Sequence, residues 1–316
     1  MGLGRSWPVW LLFAGLLLGC QPGAESSRAG SPVDFEHFVN WQLLGDRQII
    51  FRSSADGDWD IYFADGFGDE LRRVTADRHH NRYADPSPDG SRVLYSSSAD
   101  GGDFDLFVVG IDGSGPIQLT ANDLEDYSPV FSPDGRRIVF ERDVDFFQLF
   151  ELDLDSGRVR QLTDVPWHNY APDWSPDGHE LAYFANPEGD FDIYVIRTEH
   201  APGQDPERVV DTFAFAQFPD FDPSGKRIAF EAFESGDWDL FTFDRESGEI
   251  RRVTRGGGDD RDPDYSPDGQ QIAFSRAGED SAEIWITGAD GARADLLIST
   301  PGRDSQPVWI KSPRGH

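Results

Sequence analysis

A ten-residue segment returns five times along this chain of 316 residues, and its spacing constrains the fold more than any other feature. Each copy is a short run that ends in Ser-Pro-Asp-Gly or a close variant. The copies are 81–90 (NRYADPSPDG), 126–135 (DYSPVFSPDG), 169–178 (NYAPDWSPDG), 216–225 (AQFPDFDPSG) and 260–269 (DRDPDYSPDG). Serine, proline and glycine at the first, second and fourth positions are typical of a type I β-turn. The segment therefore predicts a strand and a tight turn that open a repeating unit.

Two further strands and a short fourth one follow each turn. The second strand is an apolar triplet such as Ile138-Val139-Phe140, and the third begins with a polar residue, as in Asp192-Ile193-Tyr194. The polar residues that begin the third strands are Asp60, Asp105, Gln148, Asp192, Asp239 and Glu283, at steps of 45, 43, 44, 47 and 44 residues. This period matches one four-stranded propeller blade. Because the acid returns in five of six units, we expect it to make hydrogen bonds within each blade rather than to catalyse a reaction.

The copies do not match in number, and this mismatch predicts how the ring closes. Strands two to four occur six times, but the opening segment occurs only five times before the C-terminus. A sixth, degraded opening lies at Gln306 to Ile310. We predict an all-β fold, a six-bladed β-propeller closed by a C-terminal strand that joins the N-terminal blade. The alternative is that Phe38 to Leu43 forms that strand itself.

The N-terminus has the pattern of a secretory signal. Arg5 precedes an apolar run from Pro8 to Leu18, and Cys20, the one cysteine of the chain, follows a small glycine. We predict a signal peptide over residues 1–19, a flexible tether over 20–37, which is rich in small and polar residues, and a propeller over 38–316. A single cysteine excludes an intrachain disulfide, and ordinary cleavage that leaves a free thiol is the alternative to a modified Cys20.

The repeated pattern, PxWSPDG then xIAF then GxxDIY then LT, resembles the TolB-type propeller repeat, which is WD-repeat-like, from Trp41 to Trp309. Residues 17–20 (LLGC) resemble the bacterial lipobox, which implies lipidation of Cys20. The resemblance also implies an outer-membrane lipoprotein that faces the periplasm, because Gln21 stands where Asp would favour the inner membrane. TolB itself carries an N-terminal α/β domain, for which this sequence offers only the tether.

The chain is strongly acidic, with 58 Asp and Glu against 28 Lys and Arg and a net charge of −30. Such a surface repels nucleic acid and anionic lipid headgroups. Partners with a basic surface, or cations, are expected instead. Adaptation to high salt is the alternative reason for such a charge.

Residues that differ between the repeats are the candidates for binding, since those that recur in each unit serve the fold. The position six residues before the turn serine holds Asn81, Asp126, Asn169, Ala216 and Asp260, with Asp304 ahead of the closing strand. We predict that these residues surround the channel mouth, where oxygen ligands could hold Ca²⁺ or attract a basic segment. The alternative is that they bond to loop backbone as Asx turns. The aromatic residues and histidine nearby suit recognition, namely Tyr83, Tyr127, Trp167, His168 and Tyr170.

No catalytic motif accompanies the repeats. The sequence has no G-x-S-x-G elbow, and its one cysteine, Cys20, lies at the start of the tether and outside the repeats. We therefore predict a non-catalytic, monomeric lipoprotein that acts as a scaffold for other envelope proteins and has no cofactor. The alternative is a site for a cation or a carbohydrate at the channel mouth, catalytic or not.

Overall fold

The computed structural model describes residue 33 and residues 35–77, 79–98, 102–199, 206–211, 215–278 and 281–311. Six antiparallel sheets form a ring, and each is one blade. The prediction of a six-bladed propeller is therefore confirmed. The leader 1–19, Cys20 and nearly all of the tether lie outside the described residues. No helix in the described part of the chain is long and apolar enough to cross a membrane.

The blades are numbered along the chain, and their strands run from the axis outward. Blade 1 consists of β25 (Asp304–Trp309), β2 (Gln48–Ser53), β3 (Asp60–Asp65) and β4 (Glu70–Arg73). Blade 2 consists of β5 (Asn81–Pro86), β6 (Arg92–Ser97), β7 (Asp105–Gly110) and β8 (Ile117–Gln118). Blade 3 consists of β9 (Asp126–Phe131), β10 (Arg137–Asp143), β11 (Phe147–Asp153) and β12 (Val159–Gln161).

The other three blades follow the same order. Blade 4 consists of β13 (Asn169–Trp174), β14 (Glu180–Ala185), β15 (Asp192–Arg197) and β16 (Glu207–Val210). Blade 5 consists of β17 (Ala216–Phe221), β18 (Arg227–Glu234), β19 (Asp237–Asp244) and β20 (Ile250–Arg252). Blade 6 consists of β21 (Asp259–Tyr265), β22 (Gln271–Ala277), β23 (Ala282–Gly288), β24 (Asp295–Ser299) and, at its outer edge, β1 (Phe38–Val39).

Each end of the propeller sequence pairs with the blade on the other side of the boundary between blades 6 and 1. The C-terminal β25 pairs with β2, with Trp309 opposite Ile49 and Asp304 opposite Ser53. The N-terminal β1 pairs instead with β24 of blade 6. The segment 38–43 therefore does not supply the closing strand; part of it forms the helix α1 (Trp41–Leu44), whose N-cap Asn40 accepts a hydrogen bond from the Leu43 backbone N–H.

The turns after the innermost strands have the predicted chemistry. In blade 2 the Gly90 N–H donates to the Ser87 carbonyl at 2.7 Å, and the Ser87 hydroxyl donates to Asp89 at 2.6 Å. Gly90 and its counterparts have φ between +68° and +74°, a region that favours glycine. These turns define one end of the ring, here named the turn face; the opposite end, where the innermost strands begin, is named the loop face.

Apolar residues fill the spaces between neighbouring blades. At the closure, Trp309, Ile49, Phe51 and Leu44 are fully buried, together with Ile298 of blade 6. Removal of β25 would expose this cluster and leave the inner edge of β2 unpaired.

We therefore expect a chain that ends at Arg303 to lose cooperative unfolding, because it lacks the strand that joins blades 1 and 6. Loss of Trp309 alone would cost roughly 3–5 kcal/mol of unfolding free energy. Differential scanning calorimetry is the measurement, with a chain that ends at Lys311 as the control because it retains β25. An unchanged, sharp melting transition in the shorter chain would contradict this closure.

Candidate functional site

The narrow part of the central channel is lined by three consecutive residues from each innermost strand, and these form a cavity of about 130 Å³. The triplets are 83–85, 128–130, 171–173, 218–220, 262–264 and 306–308. Each triplet begins with a residue of positive φ, between +44° and +53°, at a bulge where the register with the next strand shifts. The bulge bends the strand and redirects the side chains that follow it.

The third residue of these triplets forms a tier of carboxylates that the sequence analysis did not single out. It is aspartate in four blades and valine in two: Asp85, Val130, Asp173, Asp220, Asp264 and Val308. Each aspartate accepts a hydrogen bond from a backbone N–H of the next blade, at 2.7 to 2.8 Å; the donors are Phe131, Phe221, Tyr265 and Trp309. The tier therefore joins neighbouring blades. The sequence signal for this tier is the aspartate that recurs within the opening segment.

Burial changes the proton affinity of this tier. It raises the pKa of Asp85 to about 7, of Asp173 to about 6 and of Asp264 to about 7. Burial, followed by the charges of Asp264 and Asp173, raises the pKa of Asp220 as well. Lys311 lies at the turn-face end of the channel, in a cavity of about 440 Å³. Burial acts to lower the lysine's pKa, but the surrounding carboxylates outweigh it and raise that pKa.

A second tier of bonds between blades lies nearer the loop face. Glu141 accepts from the Ala171 N–H at 2.6 Å, and Glu231 accepts from the Asp262 N–H at 2.8 Å. Burial raises the pKa of Glu141 to about 7 and that of Glu231 to about 8. Gln306 in turn accepts from the Tyr83 N–H at 3.1 Å. The three donors are the first residues of their triplets and have positive φ. The bulge at these residues leaves their N–H groups free and directs them toward the preceding blade.

The predicted ring of Asn and Asp residues is directed into the blades. Asn81, Asp126, Asn169, Asp260 and Asp304 are fully buried at or next to the starts of their strands. Asp126 accepts two hydrogen bonds from Arg142, and Asp260 accepts two from Arg276, at 2.6 to 2.8 Å.

The other members of the predicted ring also have partners close by in the chain. Asp304 accepts from the backbone and hydroxyl of Thr300, Asn81 donates to Asp60 and Asp77, and Asn169 donates to Gln148. Within the described residues, no group of three or more His, Cys, Asp or Glu could hold a metal ion. Calcium binding at this position stays a prediction, without a donor set to support it.

The acids that begin the third strands have partners within their own blades. Asp60 accepts from the Thr75 hydroxyl at 2.8 Å, and Asp105 accepts from the Thr120 hydroxyl at 3.0 Å. The threonine oxygen in turn accepts the backbone N–H of the following aliphatic residue, Ile61 or Leu106. These contacts fit the expected role within the blade.

Four of the predicted recognition residues belong to one aromatic band on the loop face. Successive ring centroids lie 5.2 to 6.3 Å apart from Tyr83 through Tyr127, Phe147 and Tyr170 to Phe184. His168 stacks on Tyr170 at 5.4 Å and 10°. The predicted residue Trp167 packs instead against the core between blades 3 and 4. The rings that sequence reasoning missed come from loops and strands of several blades: Phe104, Phe147, Phe184, Phe191 and Phe218.

The fold and the channel define the class: a closed six-bladed propeller whose neighbouring blades are joined by buried and half-buried carboxylates. The TolB beta propeller domain model matches residues 145–316, and the chain belongs to that family. A 45-residue segment is 44% identical to "Tol-Pal system protein TolB" of Anaeromyxobacter dehalogenans. The segment makes up 14% of this chain and 10% of that relative. The chain thus matches only a small part of the length of this curated relative.

Similar folds occur in solved structures. TolB from Acinetobacter baumannii matches with a TM-score of 0.73 and 20% identity, over 84% of this chain and 67% of that one. Hydrazine synthase from Kuenenia stuttgartiensis matches with a TM-score of 0.67 and 16% identity, over 85% and 48%. Proteins as different in name as TolB and hydrazine synthase share this architecture, so the fold alone does not define the function of this chain.

We expect Asp85→Asn to change the pH dependence of stability. Asn keeps an acceptor for the Phe131 N–H but cannot titrate. The folded pKa of Asp85, about 7, lies above its ordinary value of about 3.9. The contribution of Asp85 to the unfolding free energy is therefore greatest below pH 3.9 and is lost as the pH rises through 7, by up to about 1.4 kcal/mol per pH unit.

Urea unfolding at several values between pH 4.5 and 8 tests this expectation. The difference in unfolding free energy, wild type minus Asp85→Asn, should fall over this range and then level off. Asp155→Asn, on the exposed turn between β11 and β12, is the control and should give a flat difference. A flat difference for Asp85→Asn as well would contradict the raised pKa.

Proposed function

We propose that this propeller is a non-catalytic scaffold that binds a protein of the bacterial envelope through its loop face. The observation that carries the proposal is where apolar side chains are exposed. Five of the nine large apolar residues that are exposed among the described residues lie on this face: Leu124, Val144, Phe146, Phe215 and Phe233. Two of them adjoin the aromatic band: Phe146 packs edge-on against His168, and Phe215 contacts Phe191. Exposed aromatic residues on a rigid scaffold are typical of protein interfaces.

The charges beside these apolar residues support a partner with a basic surface. Asp123, Asp145 and Asp164 are exposed on the loops of blades 3 and 4; Asp123 is next to Leu124 in the chain, and Asp145 lies between Val144 and Phe146. Together with the net charge of −30, they favour approach by a surface that carries Lys or Arg around an apolar centre.

The family and the leader sequence support placement at the envelope. We propose that Cys20 is lipidated, that the chain is anchored in the outer membrane facing the periplasm, and that it is a monomer. A lipid anchor would hold the propeller close to the membrane, and the segment of residues 20–37 leaves room for rotation.

We expect the double substitution Phe146→Ser and Phe215→Ser to abolish partner capture, because it removes exposed aromatic surface on two adjacent parts of the loop face. The measurement is quantitative affinity capture from solubilised envelopes of the source organism. Phe67→Ser is the matched control, since Phe67 is exposed at 57% in the β3–β4 connection of the turn face. Recovery of the same proteins with the double variant as with the wild type would contradict the proposed interface.

Lipidation has its own test. Cys20→Ser should abolish incorporation of labelled palmitate and move the protein from the membrane fraction to the soluble fraction. Ser27→Ala, in the same tether, is the control and should leave both unchanged. A variant at Cys20 that stays labelled and membrane-bound would contradict the anchor, without bearing on the loop-face interface.

A further inference from the structure

Among the described residues, two arginines at the loop-face mouth of the channel have no carboxylate partner. Arg52 of β2 and Arg82 of β5 come from neighbouring blades, and neither makes an ion pair within 4 Å among the described residues. Within the part of the chain that the structure describes, the Nε atoms of both are buried without a hydrogen-bond partner. In a chain with 58 acidic residues, two such cations side by side are unexpected, because buried polar groups are normally hydrogen-bonded.

Other arginines in equivalent parts of the ring are paired. Arg142 and Arg276 each bind an aspartate of their own blade in a bidentate manner. Arg261 occupies the same strand position as Arg82, and it pairs with Glu231 at 3.2 Å. The position of Glu231 is held in blade 1 by Arg52 and in blade 2 by Ser96. The first two blades therefore place positive charge and a hydroxyl where blades 3 and 5 place glutamate.

Aromatic rings hold both guanidinium groups by their faces. The Arg52 guanidinium lies 3.6 Å from the ring centroid of Trp59, and that of Arg82 lies 4.3 Å from Phe104 and 5.6 Å from Tyr127. A guanidinium stacked in this way directs its N–H donors outward along its edge. Burial, followed by the charge of Arg82, lowers the pKa of Arg52 to about 10, so each cation experiences the other.

The hydroxyl next to the pair is also without a partner. Ser96 lies directly opposite Arg82 in the ladder between β5 and β6, and its Oγ is buried with no hydrogen bond to any described residue. Residues that face each other in a ladder share one face of the sheet. The mouth thus carries three sets of unused donors, namely those of Arg52, Arg82 and Ser96.

We propose that Arg52 and Arg82 bind a carboxylate of an acidic peptide segment that a partner protein inserts into this mouth. The guanidinium fork matches the two oxygens of a carboxylate. Beside the pair lies a cavity of about 250 Å³, lined by Arg82, Tyr127, Phe147, Tyr170 and Phe184 among others, which suits the side chains on either side of the acid. This inference rests on the proposed binding of a protein partner, and it names the segment that this part of the site accepts.

The neighbouring carboxylates favour a peptide acid over phosphate. Glu141 shares the cavity with Arg82, and Asp262 acts on the charge of Arg52. A dianion is repelled by these groups more strongly than a singly charged carboxylate, and the aromatic lining of the cavity offers contacts that a peptide can use and phosphate cannot. The exposed acids of blades 3 and 4 lie elsewhere on the loop face, so a partner can present basic residues there and an acid here.

Panning of a random heptapeptide display library against the full chain tests the inference. We expect enrichment of peptides that contain Asp or Glu next to an aromatic or aliphatic residue, and loss of this enrichment with Arg52→Gln/Arg82→Gln. Arg255→Gln, at an exposed arginine on the loop between β20 and β21, is the matched control and should retain it. Neutral or basic peptides from the wild type, or equal enrichment with the double variant, would overturn the inference.

Isothermal titration with the best synthetic peptide then separates charge from geometry. Its Glu→Gln or Asp→Asn counterpart should bind the wild type at least tenfold more weakly, as the peptide itself should bind Arg52→Gln/Arg82→Gln. Arg52→Lys/Arg82→Lys keeps both charges but not the planar fork, and it should also weaken binding. It serves as the second variant if the Gln protein does not fold, which circular dichroism and melting would reveal.

Two further results separate the carboxylate site from a phosphate site and from the scaffold function. Inorganic phosphate that binds more tightly than the peptide at equal ionic strength would identify a phosphate site and overturn the assignment. If the Phe146/Phe215 variant loses its partner while Arg52→Gln/Arg82→Gln captures the partner normally, the scaffold function stands and only the carboxylate site fails.

Discussion

The structure depends on how the inner edges of six sheets are satisfied where they converge. The innermost strand of each blade has a partner on its outer side only, so the backbone N–H groups that face the axis need other acceptors. No further strand fits in the channel. Carboxylates of the preceding blade supply the acceptors, as Asp173 does for Phe221 and Asp264 does for Trp309. Each of these bonds satisfies an edge and joins two blades at the same time.

This requirement accounts for two features of the repeated segment. Proline precedes the third triplet position in five of the six triplets, and it has no N–H that would need an acceptor at the edge. At the third triplet position, blade 1 has Val308 instead of an aspartate. The aspartates of the other blades accept from the residue that follows the third triplet position of the next blade. In blade 2 that residue is Pro86, which has no N–H. A carboxylate at position 308 would have no such donor to accept from. The substitution at this position thus follows the hydrogen bonds around the ring.

The sequence predicted the parts of the fold that follow from repetition, such as the blade period and the closing role of Trp309. It did not predict where Asn81 or Asp126 point, because the bulge in each innermost strand breaks the alternation of side chains. The carboxylate tier, including Asp85, lies beyond that bulge. The aromatic band combines residues of different blades, such as Phe104 and Phe184. Only the tertiary structure brings these residues together, so the sequence periodicity does not predict the band.

Repetition also shows where the ring departs from what its stability needs. The innermost strand of every blade needs acceptors for its free backbone N–H groups. A ring position at which the blades differ is therefore not fixed by this requirement. Glu231 beside Arg261 is a complete pair, whereas Arg52 and Arg82 make no ion pair among the described residues and lie against aromatic faces. Stacking on Trp59 orders the Arg52 guanidinium but leaves its N–H donors unused, and an unused buried donor costs free energy in the unbound protein. A ligand carboxylate at this mouth would recover that cost, so the donors left unused in the free ring favour binding there.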